Sequence, residues 1–360
     1  METFTFAGSD LWITLRMGRD GFMAVTIKDV AREAKVSVAS VSRALNGHEN
    51  VTDATRKRVL GVADRLRYVP HSGARSLITR RMQTIGALLP DLYGEFFSEL
   101  IRGIDLAARA HGLHLLVSSS HGNSEEARRA LKSMHGRVDG LLVMSPHIDA
   151  GFLADNLPPD LPTVLMNTPV DGGAHSLLNV DNHGGAYAMV EHLVACGFQR
   201  IALISGPDDN HEARERLRGY REALAKYLPR AREWILHGDF SEESGYRAGQ
   251  AIAAAKQRPD AIFACNDMMA IGCLFALKDA GLQVPQDIAL AGFDDIPIAR
   301  YLSPPLSTVR VRIAELGAQA LERLVEEIAD PAVTNIREQI FRTELVIRSS
   351  CGSQSVAAAS

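Results

Sequence analysis

From residue 84 to residue 292 the chain alternates short apolar runs with longer amphipathic ones, and that alternation restricts the fold more than any other feature. The runs at 84–90, 113–118, 140–144, 162–166, 200–205, 261–264 and 288–292 read as strands. Those at 97–111, 125–134, 184–196, 214–226, 245–256 and 267–280 read as helices. Strands that are apolar throughout need cover on both faces, which points to parallel sheets between helical layers. About ten strands are expected in all, more than one open sheet carries comfortably, so the pattern predicts two doubly wound lobes.

Residues 26–46 are of a different kind. Thr26 is expected to N-cap a helix over 27–34, with Val30, Ala31 and Ala34 on its apolar face. Val36 and Ser37 make a turn, Ser37 caps a second helix over 38–45, and Asn46 with Gly47 stops it. Val41 and Leu45 face inward, Ala39, Ser42 and Arg43 outward. A third helix over 53–66, capped by Thr52, closes the small core with Val59, Val62, Ala63 and Leu66. The small Val38, Ala39 and Ser42 allow close approach to a DNA major groove, where Arg43 can meet a guanine edge with two hydrogen bonds. Ser37, Thr52 and Thr55 are placed to hold phosphates, and Thr26 and Asn46 border the same surface.

Charge divides along the same line. Residues 24–81 carry a net +7, whereas the whole chain is at -4. A basic head on an acidic body points to a polyanion for the head alone. The four cysteines lie far apart with no C-x-x-C, which suits a reducing cytoplasm. No apolar run approaches the roughly 20 residues of a membrane helix. Residues 1–23 lack the pattern of a secretion signal and are expected to be a disordered, dispensable leader. No phosphate loop, H-E-x-x-H pair or nucleophile elbow is legible, so neither an enzyme nor a cofactor or metal is expected.

In open α/β sheets, ligands sit beyond the carboxyl ends of the strands. Asn266 and Asp267 follow the strand at 261–264, Asp294 and Asp295 follow that at 288–292, and Arg214 opens the helix after 201–205. Asp267 is expected to be a helix cap and Asp295 a turn residue. Asn266, Asp294 and Arg214 are the candidate ligand contacts.

Several motifs in one order give the chain a resemblance. TIKDVA (26–31), VSVASVSRALNG (36–47), YVP (68–70) and ARSL (74–77) occupy the head. FF (96–97), RVDGLLV (137–143), VDN (180–182), EHL (191–193), RERLRGY (214–220), GDF (238–240), NDMMAIG (266–272), GFDD (292–295) and PLSTV (305–309) continue it through the body. Over residues 24–350 the chain resembles the lactose-repressor/galactose-repressor family. The resemblance implies an all-α helix-turn-helix head and a two-lobed α/β domain like that of periplasmic binding proteins, working as a homodimer on a palindromic operator.

By that resemblance Val38 and Ala39 set operator choice, Arg43 is the shared base-reader, and Leu77 is a hinge leucine that wedges into the minor groove. Gly73 departs from the bulkier residue usual in the hinge, and weakens a helix there by about 1 kcal/mol relative to Ala. Asn266, Asp294 and Arg214 match the family's ligand contacts, with Phe96 and Phe240 as aromatic walls. That set suits a sugar, its rings packing the C–H face while the polar groups meet hydroxyls. The purine-responsive member carries an arginine where this chain has Asn210, which favours a sugar over a purine or nucleoside. The implied organisation is a head at 24–69, a hinge at 70–81, an effector domain at 82–350, and a disordered tail at 351–360. Its first lobe takes about 82–180 and 311–338, its second about 181–310 and 339–350. A small-molecule uptake protein would share the body, but would need a secretion signal and no basic head.

Overall fold

The structure is a computed structural model that describes residues 25–45, 50–68, 81–147, 150–169, 175–330 and 338–352. The expected leader, Asn46, the hinge with Gly73 and Leu77, and nearly all of the tail lie outside the described residues. The chain divides into two compact units, residues 1–82 and 83–360, each described by itself.

The first unit holds α1 (Ile27–Ala34), α2 (Val38–Leu45) and α3 (Asp53–Arg65). Thr26 caps α1 through a reciprocal box: the Asp29 carboxylate accepts the Thr26 N–H at 2.9 Å and its hydroxyl at 2.7 Å. Lys35, at φ 52°, turns the chain out of α1. The Ser37 hydroxyl oxygen accepts the Ser40 N–H at 3.1 Å and starts α2. Val30, Val41 and Val59 are fully buried at the centre, with Leu45 and Leu66 packed partly against them.

The second unit opens with β1 (Thr84–Leu89), α4 (Glu95–Ala110), β2 (His114–Ser119), α5 (Ser124–Met134), β3 (Gly140–Met144), α6 (Ala150–Asn156), β4 (Thr163–Met166) and β5 (Ser176–Val180). It continues through α7 (Asn182–Ala195), β6 (Ile201–Ser205), α8 (His211–Tyr227), β7 (Trp234–His237), α9 (Glu242–Ala253), β8 (Ala261–Ala264), α10 (Asp267–Asp279) and β9 (Ala289–Asp294). A 3-10 turn, Pro297–Tyr301, leads to β10 (Ser307–Arg310), α11 (Ile313–Ala329), β11 (Glu338–Phe341) and β12 (Glu344–Val346). Two six-stranded sheets result, in the orders β11-β5-β4-β3-β1-β2 and β12-β10-β9-β8-β6-β7. Every pairing is parallel except β10 with β12. In both sheets the strand order reverses beside the first strand, between β1 and β3 and between β6 and β8. Ligand crevices form at such switch points.

The chain passes between the sheets three times, at residue 181, at 311–312 and at 342–343. The last passage corrects the expected lobe boundary near 338. The segment read as one terminal strand of the second lobe is split, with β11 beside β5 in the first sheet and only β12 in the second. Six elements escaped the sequence reading: β5, α6, β7, β10, α11 and β11. The edge strand β7 is only partly covered and β11 is mostly exposed, so they lack the continuous apolar run that marks a central strand. Among the described residues no helix is long and apolar enough to cross a membrane.

Helices α9 and α10 touch backbone to backbone. A Cβ on Gly272 would overlap the Glu242 carbonyl, and one on Gly245 would overlap that of Met269. Gly272→Ala should therefore cost about 1–3 kcal/mol by overpacking. Gly61→Ala in α3, with nothing within 4 Å, should stabilise the head by about 0.5–1 kcal/mol. Urea unfolding of the two variants reads both signs.

Candidate nucleic-acid interface and effector cleft

On the head, Val38, Ala39 and Arg43 are exposed together on one face of α2, with Ser42 half-exposed beside them. The face is kept open because Val41 and Ala44, on the opposite side, take up the core. Arg43 Nε donates to the Ala39 carbonyl at 3.2 Å, which lays the side chain along the helix while its terminal nitrogens stay exposed. Ser37 and Thr26 are exposed at the ends of α2 and α1. Thr55 is half-buried and its hydroxyl accepts from Thr52 at 3.0 Å.

In the body, Phe96, Phe97, Met144, Glu212, Arg216, Phe240, Asn266 and Asp294 line one cavity of about 70 Å³. Each follows or ends a strand on the carboxyl side, and the two lobes contribute from opposite walls. Asn167 Nδ2 of the first lobe donates to Glu212 Oε1 of the second at 2.6 Å, and Tyr93 reaches Glu242 at 3.3 Å. A sugar-sized molecule needs a pocket several times larger, so the lobes must part or the rings must swing for one to enter. A larger groove of about 990 Å³ runs beside Ile201 and Trp234. Those residues begin their strands, so the groove lies at the end opposite to the ligand crevice.

Arg216, not Arg214, is the arginine of the cleft. Its Nε donates to Asn182 Oδ1 at 2.8 Å, one terminal nitrogen donates to the Cys265 carbonyl, and the other lies 3.3 Å from Asp294 Oδ1. The guanidinium stacks 3.8 Å from the Phe293 ring centre. Arg214 is exposed and donates only to the Asp208 carbonyl, at 3.2 Å. The helix begins at His211 instead of Arg214, because the Asn210 side chain caps it by accepting the Ala213 N–H at 3.0 Å. That start places residues 212 and 216 on one face, one turn apart. An Asn-cap reading at 210 was the signal that would have found both.

Asn266 stands at the cleft, but most of its amide is already engaged. It caps α10 by accepting the Met269 N–H, and its Nδ2 donates to the Phe240 carbonyl, both at 2.9 Å. Asp267 is therefore not the cap expected of it. It lies fully buried, accepting from Thr308 Oγ1 at 2.6 Å and the Ile296 N–H at 3.0 Å, and burial pushes its carboxyl well above the usual range. Asp295 is no simple turn residue either. It accepts from Arg310 and Arg348, each at 2.7 Å, and ties the end of β9 to the terminal segment.

Strain gathers around the same cavity. Phe240, Asp294 and Asp295 have φ of 69°, 110° and 55°, a region side chains with a Cβ rarely enter. Such positions cost about 1–3 kcal/mol each and persist where a site requires them. Asp294 Oδ1 is buried without an aligned hydrogen bond, although Arg216 lies within ion-pair range. Burial first, and the Glu212 carboxylate after it, push the Asp294 carboxyl up to about 7 against the pull of Arg216. Burial likewise raises the Glu212 carboxyl.

A helix-turn-helix with an open reading face, followed by two doubly wound lobes closed over a polar cleft, defines a ligand-sensing DNA-binding regulator. Comparison with known proteins agrees. Residues 26–71 match the model for bacterial regulatory proteins of the lacI family, and 190–351 match that for a periplasmic binding protein-like domain. The chain is 38% identical over 331 residues to the transcriptional repressor PurR of Photobacterium profundum, covering 90% of this chain and 98% of that one. It is 36% identical over 329 residues to the ribose operon repressor of Haemophilus influenzae, with the same coverage. A crystal structure of the lac repressor dimer bound to operator and an anti-inducer matches with a TM-score of 0.80 at 29% identity, over 91% of this chain and 99% of that one. The chain belongs to the lacI family of bacterial regulatory proteins, and it is a DNA-binding transcriptional regulator.

Proposed function

We propose that the protein is a cytoplasmic repressor that leaves or seizes its operator in response to a sugar held between the lobes. The observation that carries the sugar reading is the cleft itself. A guanidinium, an amide and two carboxylates converge there among the Phe96, Phe97 and Phe240 rings, the mixture that grips hydroxyls and a C–H face together. Asn210, spent on capping α8, offers nothing for a purine in place of the arginine of the purine-responsive relative.

The lac repressor relative is a dimer on its operator. We propose the same assembly for this chain. Arg43 is the base-reader on α2, flanked by Val38, Ala39 and Ser42, with Ser37, Thr52 and Thr55 at the phosphates. Effector binding parts the lobes about the three passages between the sheets, and by reciprocity operator DNA shifts effector affinity by the same factor.

Arg43→Ala should weaken specific operator binding by about 1–3 kcal/mol, roughly fivefold to 150-fold, and leave the fold unchanged. A band-shift titration against the operator measures it, and undiminished binding by the variant would remove Arg43 from the reading face. The sugar reading is tested by a thermal-shift screen of the purified protein against sugars and nucleosides. A nucleoside hit alone would overturn it.

A further inference from the structure

We propose that Glu212 tunes the cleft for an effector that carries a protonated amine, an amino sugar in preference to a neutral one. The inference rests on the reading of this cleft as the sugar site. Two carboxylates, Glu212 and Asp294, face one guanidinium, and all three side chains are more than nine-tenths buried. Arg216 is divided among Asn182, the Cys265 carbonyl and Asp294, so it neutralises one carboxylate and not both.

The remaining lining gives the second carboxylate no counter-charge. Phe96, Phe97, Met144 and Phe240 have no polar hydrogens, and the Asn266 amide is engaged with its own helix and with Phe240. Among the described residues Glu212 has one hydrogen bond, from Asn167, and Asp294 Oδ1 has none that is aligned. The cavity is therefore rich in acceptors and short of donors. A buried, uncompensated negative charge is costly. Burial raises the Glu212 carboxyl and pushes the Asp294 carboxyl up to about 7, so each takes up a proton more readily than an exposed carboxylate does. An ammonium group replaces that proton with three donors and a full charge, and the aromatic walls favour a cation further. A neutral hydroxyl brings one donor and no charge.

The test pairs sugars that differ in one group. Dissociation constants are measured by calorimetry for D-glucosamine, D-galactosamine and D-mannosamine beside glucose, galactose and mannose, at a pH below the ordinary range of such amines. N-acetylglucosamine serves as the uncharged control. In at least one pair the amino sugar should bind ten or more times tighter than its neutral partner and should release a proton, read from the heat in buffers of different ionisation enthalpy. Glu212→Gln should abolish both the preference and the proton release, with the circular-dichroism spectrum unchanged. If neutral sugars bind as tightly as their amino partners, or the Gln variant keeps the preference, the proposal is wrong while the sugar reading stands. If none of these sugars binds in a way that Phe240→Ala removes, the sugar reading fails and the proposal with it.

Discussion

Arg216→Ala lowers the free energy of unfolding by about 3–5 kcal/mol, the cost of leaving buried charge without its partner, and abolishes stabilisation by the effector. Arg214→Ala, two residues earlier, changes stability by no more than about 0.5 kcal/mol. The contrast follows from where the two side chains go. Arg216 is buried against Phe293 and holds Asn182, Cys265 and Asp294 together, so its loss strands the Asp294 carboxylate in an apolar wall. Arg214 lies in solvent against one carbonyl. Urea unfolding of both variants, with and without a ligand found in the sugar screen, gives the comparison. Equal effects would mean that the two arginines have been interchanged.

Asp294→Asn should make the protein more stable at neutral pH while destroying effector binding. The sign follows from proton linkage. In the folded state the Asp294 carboxyl is raised from 3.8 to about 7. The native state therefore binds this proton more tightly than the unfolded chain. Its contribution to stability is fully present below about pH 4 and is lost as the pH climbs through about 7. A shift of about three units at about 1.4 kcal/mol each sets an upper bound near 4 kcal/mol. Asn cannot ionise, and it tolerates a positive φ better than most residues. The variant should match the wild type near pH 4 and pull ahead of it by pH 8, with urea unfolding at several pH values as the measurement. Parallel curves for the two proteins would mean that Asp294 is not strained by its charge. A gain in stability with a loss of function is the usual trade where a site is built from buried charge.

Much of the molecule was legible before folding. Continuous apolar runs such as 140–144 and 261–264 mark central parallel strands, because both of their faces must be dry. The head was legible through its caps, at Thr26 and Ser37, and through the placement of Val30, Val41 and Val59 at helical spacing. The edge strands β7 and β11 were not, since no residue of either is fully buried and the pattern fades. Asn266 and Asp294 were found from their place after a strand. Arg216 and Glu212 were missed because the start of α8 was set three residues late: Arg214 was taken as the residue opening the helix at the cleft, and residue 212 was left in the loop before it.

The sequence by itself determined the class of fold, the basic helical head and the strand ends that meet at the cleft. These depend on local periodicity, on charge and on the geometry of a parallel sheet, all of which are written in neighbouring residues. Only the tertiary structure decided which arginine enters the cleft, which sheet receives each half of the terminal segment, and that Glu212 stands beside Asp294. Those facts depend on residues far apart in the chain meeting across a dry interface. The cost of burying a charge there is set by its neighbours in space, and the order of residues alone does not record them.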